Sequence, residues 1–329
     1  MLNYDINQEF IFINITFYYL RVIFLDFYKM RHILVIGAGR SASSLIKYLL
    51  DHSEAQNLHV TIGDLSEELA KQKTNNHKNA RAIAFDIFNE AQRKEEIQKA
   101  DVVVSMLPAH LHLEVAKDCI TYKKHMVTAS YISPAMQELD AAAKENGLVF
   151  MNEIGLDPGI DHMSAMKVLD EIREKGGEII LFESFCGGLV APESDTNLWN
   201  YKFTWNPRNV VLAGQGGAAK FIQEGKYKYI PYSKLFRRTE FLEVEGYGRF
   251  EAYANRDSLK YRSVYGLDDA LTCYRGTIRR VGYSRAWDIL VQLGMTDDSY
   301  TIDNSEDMTY REFTNSFLPY HPTDTVEIK

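Results

Sequence analysis

One stretch of this sequence groups residue types whose spacing suits them for chemistry. It is Gly37-Ala38-Gly39-Arg40-Ser41-Ala42, a Gly-x-Gly-x-x-Ala loop placed directly after the apolar run Ile33-Leu34-Val35-Ile36. Such a loop turns tightly at its first glycine and lets backbone approach a pyrophosphate at its second. A small last residue packs the next helix closely on the sheet. The helix start then offers N–H groups and a positive dipole end to the phosphates. Gly37, Gly39, Arg40, Ser41 and Ala42 are therefore expected to hold a dinucleotide. Asp64 ends the next apolar run, where an acid meets an adenosine ribose, and Asp86 ends the third. A second dense stretch, Asn152 to His162, packs Glu153, Asp157 and Asp161 among two glycines and a proline.

The elements that position these residues read as alternating strands and helices. Strands are expected at 32–36, 58–62, 82–85, 101–105, 125–128 and 148–151, and the Val102-Val103-Val104 run marks a buried parallel strand. Helices follow the glycine loop (Leu45, Ile46, Leu49, Leu50), begin at the N-cap Ser66, run through Ile97, and span 134–145. This pattern predicts an α/β fold with an N-terminal Rossmann-type, doubly wound parallel sheet that binds ligands outside its C-terminal strand ends. Ser105, Met106, Leu107 and Pro108 then fall at the cofactor's edge. Ser130 and Tyr131 fall where a nicotinamide would lie, with hydroxyls able to meet its amide or a substrate carboxylate. Beyond residue 155 the chain predicts a second, α+β domain on a mixed or antiparallel sheet. It has a helix over 160–175 and strands near 179–185, 241–244 and 249–254. The expected division is 1–29, 30–155 and 156–329.

Composition is that of an ordinary globular protein, with 46% hydrophobic and 25% charged residues. A net charge of −8 argues against nucleic acid or an anionic membrane as partner. Cys119, Cys186 and Cys273 lie far apart, which suits a reducing compartment such as the cytoplasm. His110 and His112 form a His-x-His pair without a third ligand nearby, so no metal is expected. Phe10 to Tyr28 is rich in Phe, Ile and Tyr, but Asn14, Thr16, Arg21 and Asp26 interrupt it. Residues 1–29 are read as an extension upstream of a natural start at Met30, with an interfacial anchor as the rival reading.

The later motifs carry a resemblance. Ser130-Tyr131-Ile132-Ser133-Pro134, Asn152 to His162, Cys186-Gly187-Gly188-Leu189, Tyr201-Lys202-Phe203-Thr204-Trp205, Asn255-Arg256-Asp257-Ser258 and Arg275-Gly276-Thr277 occur in this order. In them the chain resembles the glutamate-forming saccharopine dehydrogenases. The resemblance implies a nicotinamide-dependent oxidoreductase of lysine metabolism. Its substrate would be a small amino acid, saccharopine, oxidised at the secondary amine and then hydrolysed to glutamate and 2-aminoadipate 6-semialdehyde. A homodimer is the expected assembly. Family members run on beyond the point where this chain ends, so the second domain is expected to be cut short.

Saccharopine carries three carboxylates, which arginine forks grip through paired N–H bonds. Arg208 and Arg256, in or beside matching motifs, are the expected substrate ligands, with Asn255 adding an amide and Pro108 and Tyr131 nearby. Arg275, Arg279 and Arg280 read as a solvated charge run. Asp157 is the expected general base, serving amine deprotonation and imine hydrolysis, with Glu153 and Asp161 as alternatives and Tyr131 as a catalytic neighbour. NAD is expected in preference to NADP. Asp64 would repel a 2′-phosphate, Leu65 and Ser66 offer no cation, and Lys71 and Lys73 are expected to point to solvent. Two rivals stand beside this reading. One is a carboxynorspermidine-type dehydrogenase, which would need fewer arginines. The other is a dinucleotide-binding fragment without turnover.

Overall fold

The structure, a computed structural model, describes residues 30–213 and 215–328. The expectations for residues 1–29 lie outside the described residues. The chain divides into two compact units, the first ending at Ile160 and the second beginning at Asp161.

In the first unit, β1 (Arg31–Ile36), β2 (Leu58–Asp64), β3 (Ala80–Ala84), β4 (Val102–Ser105), β5 (His125–Thr128) and β6 (Phe150–Met151) form one parallel sheet. Its order is β3-β2-β1-β4-β5-β6. Helices α1 (Ser43–Asp51), α2 (Glu67–Thr74), α3 (Glu90–Lys99), α4 (His112–Thr121), α5 (Pro134–Gln137) and α6 (Asp140–Glu145) connect the strands. Apolar residues alternate along β1 and feed two cores. Leu34 and Ile36 pack with Ile97, Val115, Cys119 and Met136. Val35 packs with Ala42, Ile46, Leu50 and Ala70. Both faces of the sheet are therefore covered, which is why its strands read as near-continuous hydrophobic runs. Helix starts fall where short polar side chains accept backbone N–H bonds. Ser66 accepts from Leu69, Asn89 from Gln92 and Ser133 from Met136.

The predicted helix over 134–145 is instead two short helices. Leu139 N–H bonds to Met136 C=O, three residues back, and this tighter turn separates α5 from α6.

The second unit holds α7 (Ile160–Glu174), which starts at the boundary, and a mixed sheet of order β10-β11-β12-β8-β9, with β7 paired parallel to β12. Its strands are β7 (Leu181–Cys186), β8 (Ala219–Gln223), β9 (Lys226–Ile230), β10 (Glu240–Val244), β11 (Gly248–Ala254) and β12 (Thr272–Arg280). The helices are α8 (Pro207–Leu212), α9 (Tyr232–Leu235), α10 (Tyr283–Gln292) and α11 (Tyr310–Asn315). The β8–β9 hairpin, which the apolar pattern does not reveal, turns at Glu224 and Gly225, with φ of 50° and 74°. Two left-handed residues match the twist of a tight hairpin. One core gathers Phe221, Tyr274, Tyr283 and Trp287, and another gathers Leu169, Phe182, Tyr265 and Cys273. Among the described residues no helix is long and apolar enough to cross a membrane.

Candidate active site

The sheet order reverses between β1 and β4, and the loops leaving their C-terminal ends meet there. Met106 N–H donates to Ile36 C=O at 2.8 Å, and Gly37 N–H donates to Gly63 C=O at 2.7 Å. Gly37 has φ of 105°, and a Cβ there would come within 2.9 Å of Met106 O. Its glycine is demanded by the protein's own backbone. Gly39 is different. Its φ of −63° and ψ of −176° suit any residue, and a Cβ there would meet nothing within 4 Å. The space over Gly39 is open, as the approach of a ligand to backbone requires. Arg40–Ala42 form a single 3-10 turn before α1 begins at Ser43, with Arg40 exposed and Ala42 fully buried beneath the helix.

Asp64 braces this loop. Its Oδ2 accepts from Ala38 N–H at 2.8 Å and its Oδ1 from Ser66 N–H at 3.0 Å, while Ser66 itself caps α2. Asp86 is exposed at the end of the outer strand β3 and accepts from Phe88 N–H at 2.9 Å. Lys71 pairs with Glu67 at the surface, as expected. Lys73 is a correction: its Nζ donates to Ser43 Oγ at 2.6 Å, because packing of α2 on α1 brings it to the first residue of the loop's helix.

Past β4, Leu107 packs on the core while Pro108 is exposed. Ser105 corrects the expectation that it touches the cofactor. It is completely buried, and its hydroxyl is spent on His112 Nδ1 at 2.8 Å. The other ring nitrogen of His112 lies 2.8 Å from Ser130 Oγ and 3.2 Å from Thr128 Oγ1. Burial, and behind it the charge of His110, lowers the His112 pKa to about 4. The ring is therefore neutral at and above neutral pH. Sequence reading passed over His112 because it weighed the residue only as a metal ligand.

Tyr131 and Asp157 are brought together across 26 residues, with Tyr131 Oη donating to Asp157 Oδ1 at 2.6 Å. The two alternative acids are committed elsewhere. Glu153 Oε1 accepts from Ile132 N–H at 2.8 Å, holding the loop that carries Tyr131. Asp161 is buried against Arg275 at 2.5 Å.

In the second unit, Arg256 Nη2 donates to Ala213 C=O at 2.7 Å, and Asn255 Oδ1 accepts from Thr277 Oγ1 at 2.7 Å. Arg208 is exposed and pairs with Asp298. Reading Arg275 and Arg279 as a solvated run was wrong. Both are buried, because side chains from other elements cover them: Asp161 and the Tyr261 ring cover Arg275, and Tyr201 and Tyr283 cover Arg279. Arg279 stacks over the rings of Tyr201 and Tyr283. Alternation of Arg275, Thr277 and Arg279 at period two was the available signal.

Comparison with known proteins bears on both units. Residues 33–151 match the family model described as saccharopine dehydrogenase NADP binding domain, and residues 155–327 match saccharopine dehydrogenase C-terminal domain. The chain belongs to the saccharopine dehydrogenase family. Family relatives include saccharopine dehydrogenase [NADP(+), L-glutamate-forming] of Pyricularia oryzae, 37% identical over 88% of this chain and 63% of the relative. The enzyme of the same name from Schizosaccharomyces pombe is 38% identical over 82% of this chain and 59% of its own length. A solved apo structure of saccharopine dehydrogenase (L-Glu forming) from Saccharomyces cerevisiae superposes with a TM-score of 0.76. It is 33% identical and covers 87% of this chain and 63% of that one. The chain thus spans about three-fifths of the length of these relatives.

Proposed function

We propose that this chain is an NADP-linked oxidoreductase acting on the secondary amine of saccharopine. The observation that carries the reading is the exposed, unobstructed backbone at Gly39, at the point where the sheet order reverses, in a chain whose second unit carries the matching motifs. Oxidation removes a hydride from the carbon beside the amine, and water then splits the resulting imine into glutamate and 2-aminoadipate 6-semialdehyde. When bound, the cofactor supplies the hydride acceptor.

The chain's own residues supply binding and proton transfer. Gly37 to Ala42 hold the pyrophosphate, and Ser130 lies on the β5 side of the reversal, toward the nicotinamide. Asp157 accepts the amine proton and later activates water, with Tyr131 holding its carboxylate in place. Arg256 and Asn255 hold substrate carboxylates, and Arg208 does so in competition with Asp298.

The choice of NADP follows the description of the matched domain and the names of the relatives. Asp64, with no cation at Leu65 or Ser66 and with Lys71 and Lys73 taken to point to solvent, favoured NAD; its two oxygens are engaged by Ala38 and Ser66, and Arg40 and Lys73 bring cations to the same loop. The deciding experiment is NAD(P)H formation from saccharopine at alkaline pH by the folded chain. Absence of any saccharopine-dependent signal, with dinucleotide binding intact, would defeat the substrate assignment. The ratio of kcat/KM for NADP over NAD is expected to exceed one, and to rise further in Asp64→Ala as a like charge leaves. A parent that prefers NAD makes Asp64 the determinant after all.

Arg256→Ala is expected to raise KM for saccharopine by thirty- to over a hundredfold, the equivalent of about 2–3 kcal/mol for a charge-assisted bond. Dinucleotide affinity should stay within twofold. Equal loss of both affinities would place Arg256 outside the substrate site.

A further inference from the structure

We propose that His112 is a positioning residue that fixes the Ser130 hydroxyl as a donor to a carbonyl acceptor on the nicotinamide end of the dinucleotide. This rests on the dinucleotide reading above. The Ser105 side chain is fully buried, and its Oγ has His112 Nδ1 as its sole hydrogen-bond partner among the described residues. If Nδ1 carried the ring proton, the Ser105 hydroxyl proton would be buried with no acceptor, which is costly. Thr128 Oγ1 competes as a donor to Nε2, but from 3.2 Å, and it already accepts from Ser130 N–H, whereas Ser105 lies 2.8 Å from Nδ1. The shorter contact assigns the Ser105 hydroxyl as the donor to Nδ1 and places the proton of the neutral ring on Nε2. A ring already pushed to a pKa of about 4 by burial keeps this single proton at neutral and alkaline pH.

Nε2–H then donates to Ser130 Oγ at 2.8 Å, with Thr128 Oγ1 the more distant partner at 3.2 Å. Ser130 is held by its backbone as well. Its N–H donates to Thr128 Oγ1, and its C=O accepts from Glu153 N–H at 3.1 Å. With Oγ accepting from the ring, the hydroxyl proton of Ser130 has no acceptor among the described residues. Ser130 is half-buried just past the C-terminal end of β5, on the opposite side of the reversal point from Asp64. That is the nicotinamide side of a dinucleotide whose ribose meets the end of β2. A carboxamide oxygen is the acceptor such a site would take. The chain of donors from Ser105 through His112 to Ser130 polarises in one direction, which strengthens the last bond.

The test uses the full 329-residue chain and equilibrium binding of NADPH and NADH by fluorescence. His112→Asn keeps an acceptor near Nδ1 and removes the donor to Ser130. His112→Gln carries an amide N–H to the Nε2 position. His112→Asn and Ser130→Ala should each weaken binding by about five- to tenfold, and the double variant should lose no more than Ser130→Ala alone. His112→Gln should stay within about twofold of the parent. Competition by 2′,5′-ADP or AMP, which lack the nicotinamide, should be unchanged in every variant. The parent should also prefer the carboxamide dinucleotide to its thionicotinamide analogue, and His112→Asn should narrow that preference.

His112→Asn binding like the parent, His112→Gln failing as His112→Asn does, or loss of the adenosine half in step with the nicotinamide would each overturn the proposal. A folded parent that binds no dinucleotide would overturn the functional reading and this inference together.

Discussion

Replacing Arg275 with methionine is expected to destabilise the second unit by about 3–5 kcal/mol. The guanidinium sits against Asp161 at 2.5 Å, with side chains only 4% and 5% exposed, and lies 4.6 Å from the centre of the Tyr261 ring. Its backbone is also pinned, since Arg275 N–H donates to Ser258 Oγ at 2.9 Å and Asn255 N–H donates to Arg275 C=O at 2.8 Å. Methionine fills much of the same volume and keeps the apolar contact. The loss therefore comes mainly from removing the cation beside a carboxylate that water cannot reach. The double variant Arg275→Met with Asp161→Asn should recover much of the stability, because exchanging a whole buried pair is far milder than breaking it. Denaturant midpoints at constant m-value measure both effects. A single variant within 1 kcal/mol of the parent would show the pair to be incidental.

Asp157→Asn should lower turnover of saccharopine by a factor of about 10² to 10⁴, the range for removal of a general base. Asp157 receives Tyr131 Oη at 2.6 Å and sits on a turn with little freedom. Gly155 N–H donates to Pro158 C=O at 2.7 Å, and Ile160 N–H donates to Gly155 C=O at 2.9 Å. A Cβ on Gly159, whose φ is 149°, would collide with the backbone of Gly155. The amide keeps the shape of the carboxylate and loses the ability to take a proton, so the turn should survive the change. Dinucleotide affinity should be unaffected, and Tyr131→Phe should cost roughly tenfold through loss of one hydrogen bond. Turnover by Asp157→Asn within threefold of the parent would move the base elsewhere, despite the commitment of Glu153 to Ile132 and of Asp161 to Arg275.

Much of the first unit was legible because its information is local. The apolar run into Gly37-Ala38-Gly39 specifies a strand and turn, and the Val102-Val103-Val104 run marks a strand buried on both faces. Ser66 and Asn89 announce helix starts within a few residues of themselves. The family motifs in the second half were legible as words, but not the surroundings of their side chains. Burial of a charge is a long-range property. Arg275 looks solvated until the Tyr261 ring covers it and Asp161 arrives from α7, 114 residues away. Lys73 looks exposed until α2 packs on α1. His112 looks like half a metal site until β4 and β5 bring Ser105, Thr128 and the following Ser130 around its ring. The sequence by itself determined the strands, caps and turns, because these depend on neighbours in the chain. The tertiary structure alone decided which polar groups are desolvated and which partner each one meets. That depends on contacts between residues tens of positions apart, and a periodic pattern records the face of an element but not what covers it.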